Sequence, residues 1–160
     1  MFLSAPGLVH GARAGSGLPG VPELQVPLLR YLWGLDTLDT KVMRSAFAPG
    51  ALVRDADGKL WDKRAGGLEA FLRAQVAGPR GAQHYLQVNR VTAKRGRYRT
   101  ESYWSRVEWK ADEPRPVLTA LGSFIDELTE HKGGWLISRR EIALWNSGTV
   151  TVPVVAEVGG

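Results

Sequence analysis

At 160 residues, with 44% hydrophobic and 23% charged side chains, the chain is long enough to bury one core and too short for two ordinary domains. No apolar run approaches the roughly 20 residues of a membrane span, and the absence of cysteine removes disulfides and thiol nucleophiles. The net charge of +5 does not make nucleic acid the expected partner, because its densest run, Lys94, Arg95, Arg97 and Arg99 around Gly96, reads as a hairpin turn between two solvated strands.

Residues 1–22 carry Pro6, Gly7, Gly11, Gly15, Gly17, Pro19, Gly20 and Pro22, a composition too poor in apolar side chains to fold locally, and are read as a flexible arm. Met1-Phe2-Leu3 opens apolar, but Pro6 and Gly7 interrupt it and no basic segment leads it, so no export signal is read. With cysteine absent, this points to a cytoplasmic protein. His10, His84 and His131 without a thiol do not supply a structural zinc site.

The body is expected over 23–146. A helix is predicted from about Glu23 to Thr37, with Pro27 in or beside its first turn. Asp39 stands where an N-cap belongs, ahead of a short second helix through Val42, Met43, Ala46 and Phe47 that Pro49-Gly50 ends. Asp55-Ala56-Asp57-Gly58 between Leu52-Val53 and Leu60-Trp61 reads as a hairpin. Leu68, Phe71, Leu72 and Val76 recur at helical spacing, and Gly78-Pro79 closes that third helix. Four long strands follow, at roughly 82–94, 98–110, 116–130 and 134–146, separated by Arg-Gly, Asp-Glu-Pro-Arg and Lys-Gly-Gly turns. Residues 147–160 form a Val-rich tail of undetermined role. The predicted fold is α+β: three N-terminal helices packed on a strongly curved, mostly antiparallel sheet, a cone-shaped barrel whose concave side leaves an apolar pocket.

On a helical wheel at about 100° per residue, Tyr31, Leu35, Leu28, Leu32, Asp36, Leu29 and Trp33 span about 200°, so Asp36 falls inside the apolar arc. A carboxylate there needs a partner or a proton. A plainer role is a turn back onto loop amides at the helix end. Strand alternation places His84 inward with Leu86 and Val88, either as a hydrogen-bonded core residue or as that partner. An aspartate bound to one imidazole nitrogen fixes the tautomer and leaves the other nitrogen to take or deliver a proton, which makes a general acid/base dyad. Tyr31 could donate its phenolic hydrogen to a carbonyl oxygen during enolisation, or simply fill the core. Arg140, read as inward with Leu136, Ser138 and Ile142, could hold a substrate oxygen, although an ion pair with Asp126 or Glu101 is slightly preferred. Trp33, Trp104 and Phe124 are candidate pocket walls or ordinary core.

This pattern resembles the SnoaL-like branch of the nuclear-transport-factor-two-like superfamily, closest to its scytalone dehydratase and bile acid dehydratase group. The resemblance covers about residues 23–146 and is carried by Tyr31-Leu32-Trp33-Gly34-Leu35-Asp36-Thr37-Leu38-Asp39, Gln83-His84-Tyr85, Glu101-Ser102-Tyr103-Trp104, and Gly133-Gly134-Trp135-Leu136-Ile137 followed by Arg140. It implies that Asp36 and His84 form a catalytic dyad, that Tyr31 polarises the substrate, and that the reaction is syn elimination of water, or an isomerisation, on a hydrophobic cyclic carbonyl compound. It also implies that no metal or organic cofactor is needed and that the protein is a homodimer or homotrimer. Tyr103 or a neighbour stands where scytalone dehydratase has its second histidine, which departs from the fungal pattern and adds Tyr103 to the substrate-binding candidates. The acid and arginine sets of limonene epoxide hydrolases and ketosteroid isomerases are not evident. The superfamily also holds non-catalytic members, such as the small subunits of ring-hydroxylating dioxygenases, so a ligand-binding or assembly role is the alternative.

Overall fold

The computed structural model describes residues 19–77 and 81–145. Most of the expected N-terminal arm, the Gly78-Pro79 stop and the Val-rich tail therefore lie outside the described residues. The elements run α1 (Val21–Asp36), α2 (Thr40–Arg44), β1 (Phe47–Arg54), β2 (Leu60–Trp61), a 3₁₀ turn at Lys63–Ala65, α3 (Gly67–Val76), β3 (Ala82–Lys94), β4 (Arg97–Glu108), β5 (Val117–His131) and β6 (Gly134–Leu144). None of the described helices is long and apolar enough to cross a membrane.

Helix α1 starts at Val21, so Val21 and Pro22 belong to its first turn rather than to the arm; a proline costs nothing there because the first N–H groups have no partner anyway. Pro27 lies beyond that turn, buried inside the helix, where it has no N–H to offer the helical ladder. The Asp39 carboxylate accepts the N–H groups of Lys41 and Val42 and caps α2. That helix is shorter than its apolar pattern suggests. From Ala46 the backbone is claimed by β6, with Ile137 donating to the Ala46 carbonyl at 2.9 Å, and Pro49-Gly50 sits within β1, where its pairing with β6 is irregular. Gly34 lets the two helices touch, because a Cβ there would collide with Met43.

One six-stranded sheet has the order β2-β1-β6-β5-β4-β3. The expected Asp-Gly hairpin pairs Val53 with Trp61, and β3 to β6 form the expected antiparallel meander. The β1–β6 pair is parallel, which is why the sheet is mostly rather than wholly antiparallel. Arg95 (φ 52°) and Gly96 (φ 74°) make the tight basic turn between β3 and β4. Helix α1 crosses one face, touching β3 and β6, and the core between them includes Leu24, Leu28, Leu32, Phe71, Leu128 and Ile137.

Candidate active site

Helix α1 brings Asp36 to the start of β3. There the carboxylate accepts two bonds from one residue: the His84 backbone N–H at 3.0 Å and the ring Nδ1 at 2.6 Å. A carboxylate accepts only, so the contact requires a proton on Nδ1, and in the neutral imidazole Nε2 then carries the lone pair. Among the described residues no hydrogen bond takes up Nε2. The His84 side chain is 10% exposed and that of Asp36 is 21% exposed.

His84 lines two concavities. On the inner side is a cleft of about 410 Å³, within the range of small-molecule sites, floored by Tyr31, Trp104 and Phe124 and reached also by Ile142, Arg106 and the Asp55–Asp57 hairpin. On the outer side is a shallow groove with Leu29, Arg30, Trp33 and Asp36. His84 therefore reaches the inner cleft and Asp36 stands behind it. The wheel explains this: Leu24, Leu28, Tyr31 and Leu32 are buried while Leu29 is 50% and Trp33 66% exposed, so the apolar arc is narrower than its sequence and Asp36 sits at its edge.

Tyr31, 1% exposed, lies edge-on to Phe47 and Phe124 and stacked with Phe71. Burial pushes its hydroxyl up to about 12; the nearby Arg140 charge opposes this and Asp126 adds to it. Tyr31 is therefore a proton-bearing hydroxyl at neutral pH, fit to donate. Trp104 stacks on Phe124 at 5.6 Å and tilts against the His84 ring at 6.1 Å. Its indole rests on Gly122, its register partner on β5, where any side chain would strike the ring.

Three expected substrate-binding residues are placed elsewhere. Arg140 is fully buried and forked onto Asp126, with Nε at 2.7 Å and Nη2 at 2.8 Å, so it takes the ion-pair role; its guanidinium also lies over the mutually perpendicular rings of Tyr31 and Phe124, 4.3 and 4.2 Å from their centroids. Burial alone would depress Arg140, but the Asp126 charge and hydrogen bonds outweigh it and the net direction is upward. Its expected strand neighbours shift too: a register irregularity between Glu127 and Leu128 turns Ile137 rather than Leu136 into the core. Tyr103 points to the opposite face from Trp104, 47% exposed and edge-on to Trp145. Trp33 walls the outer groove, not the inner cleft.

Arg106 was not singled out from the sequence, yet its signal was present, since it shares strand parity with Trp104. The approach of the Asp55–Asp57 hairpin to the cleft carries no local signal.

A family model described as the SnoaL-like domain matches residues 23–141. No curated relative matches the chain. Among solved structures, a Nostoc punctiforme protein of unknown function with a cystatin-like fold is 18% identical, with a TM-score of 0.65 over 79% of this chain and 91% of that one. A candidate scytalone dehydratase from Novosphingobium aromaticivorans is 16% identical, with a TM-score of 0.63 over 78% and 83%. ActVI-ORFA from Streptomyces coelicolor is 20% identical, with a TM-score of 0.62 over 77% and 95%. At these identities the likeness is one of fold.

Proposed function

Because the chain belongs to the SnoaL-like domain family, we propose that it is a cofactor-independent lyase of the dehydratase type, or an isomerase, acting on a hydrophobic cyclic carbonyl compound. The observation that carries this reading is the 2.6 Å contact from Asp36 to His84 Nδ1 beside a cleft walled by aromatic rings. The candidate scytalone dehydratase among the structural neighbours is consistent with it.

In this mechanism His84 Nε2 takes a proton from the carbon next to the carbonyl, and the resulting imidazolium is held by Asp36. The C–H electron pair becomes the enolate, whose oxygen accepts a hydrogen bond from the Tyr31 hydroxyl. In the dehydratase case the enolate collapses, the C–O bond to the neighbouring hydroxyl breaks, and His84 returns its proton to that oxygen so that water leaves from the same face. In the isomerase case the proton is returned to another carbon. The Tyr31 contact is worth most when the oxygen carries charge, which favours the transition state over the ground state.

The test is a set of bicyclic and tricyclic β-hydroxy ketones incubated with the wild type and His84→Ala, with enone absorbance as the readout. Turnover by the wild type that falls by at least about 100-fold in the variant supports the assignment. Equal turnover in both would overturn it.

A second reading rests on the other bond to Asp36. By accepting the His84 backbone N–H at 3.0 Å, the carboxylate ties α1 to β3, which is what a non-catalytic binding or assembly subunit would also need. We further propose that the protein is a homodimer or homotrimer through the outer sheet face. Tyr85, Tyr103 and Leu121 are exposed there, and Arg99, Glu101, Arg139 and Glu141 supply both charge signs, so a second copy meets a complementary surface.

A further inference from the structure

We propose that Arg106 is an anion anchor of the cleft, and that the natural substrate carries a carboxylate in addition to its ring carbonyl. The inference rests on the proposed reading of the cleft and adds a specificity-determining residue to it. Arg106 on β4 is the register partner of His84 on β3, so two inward side chains on neighbouring strands rise side by side from the sheet. Both line the same cleft. Opposite Arg106, β5 is irregular: Arg106 pairs with Ala120 and Val107 with Leu118, leaving Thr119 as an extra residue whose hydroxyl donates to the Arg106 carbonyl. Irregularities of this kind re-aim the side chains beside them.

The guanidinium is only partly satisfied. Glu108 holds Nη2, while Nε is buried with no hydrogen-bond partner among the described residues. The Arg106 side chain as a whole is 29% exposed, and a permanent cation held this far from water with its hydrogen bonds incomplete favours an oxygen that is already charged. The other charges near the cleft are mostly spent. Asp36 is committed to His84, and Asp55 accepts from the Asp57 and Lys59 backbones and the Trp61 indole. Asp57 also lines the cleft, at the turn of the hairpin rather than on the sheet. An aromatic floor with a cation beside the imidazole fits a planar ring bearing a carboxylate, which a forked guanidinium recognises through charge-assisted bonds. A guanidinium does not release its proton, so Arg106 orients the substrate and leaves proton transfer to His84.

The experiment compares two ligands of matched ring, 2-naphthoate and the neutral 2-acetonaphthone, titrated by NMR into the wild type, Arg106→Gln and the double variant Arg106→Gln/Glu108→Gln. The double variant removes both partners, so no half-buried carboxylate is left unpaired to destabilise the fold. The expected result is naphthoate binding at least about tenfold tighter than the ketone in the wild type, with His84 and Trp104 signals moving, and loss of that preference in both variants while ketone affinity is kept. Equal affinities in the wild type, or a preference that survives both substitutions, overturn the anchor and leave the cleft reading standing. If neither compound moves those signals, the cleft reading fails and the anchor fails with it.

Discussion

His84 gives both its backbone N–H and its Nδ1 to one carboxylate, so the ring is fixed in position and tautomer by a residue 48 positions earlier. Asp36→Asn keeps the shape but offers an amide that can turn its NH₂ toward Nδ1, which stabilises the wrong tautomer. The expected outcome is a folded protein by circular dichroism whose turnover drops by roughly 100-fold or more; unchanged turnover would refute the pairing. Tyr31 gives a pH test. Its folded value of about 12 lies above the ordinary 10.0, so the unfolded chain releases this proton first as pH rises. The stabilisation is fully present below pH 10 and is lost as pH climbs toward 12, by an amount of order 2 kcal/mol. Tyr31→Phe should therefore show a shallower loss of urea stability over that window than the wild type. The pairing of Asp36 with His84 was legible from two polar residues out of keeping with their apolar neighbours. Trp33 was misplaced because a wheel gives angular order but not where the neighbouring sheet ends.

Among the elements, the strands were the most legible, because alternation and turn residues are local. The β3 bounds at Ala82 and Lys94 coincide with those expected. Helix α2 was overextended because Ala46 and Phe47 suit a helix and a strand equally, and the choice is made by distant β6. Arg140 was rightly turned inward with Ile142, but Leu136 and Ser138 were wrongly given the same parity, since a register irregularity is invisible to a parity count. Strand β5 supports the cleft through Gly122, whose lack of a side chain makes room for the Trp104 ring. Gly122→Ala should destabilise the fold by about 3 kcal/mol or more in urea denaturation and shift tryptophan emission, as the added methyl meets both the Ala143 carbonyl on β6 and the Trp104 ring. The Asp126–Arg140 pair ties β5 to β6 with neither residue exposed. Asp126→Asn should cost about 3–5 kcal/mol, because an uncompensated guanidinium is left in the core. A thermal midpoint equal to wild type would show that the pair is not holding the sheet.

For the whole molecule, the α+β class and the helices-then-meander order followed from the sequence, while the parallel β1–β6 pair and the hairpin's approach to the cleft are long-range outcomes with no local pattern. Assembly is tested at this scale: light scattering should give a dimer or trimer mass, and Tyr103→Glu with Leu121→Glu should yield monomer, whereas a wild-type monomer would remove the outer-face proposal. The central claim is that His84, held by Asp36, moves a proton beside a carbonyl in the cleft. The most direct measurement is deuterium incorporation into 2-tetralone in D₂O, followed by NMR, because it reads carbon deprotonation whether or not water is later lost. Exchange should be accelerated by the wild type, slowed in Asp36→Asn and reduced to the uncatalysed rate in His84→Ala; equal exchange with wild type and His84→Ala would exclude His84 as the base.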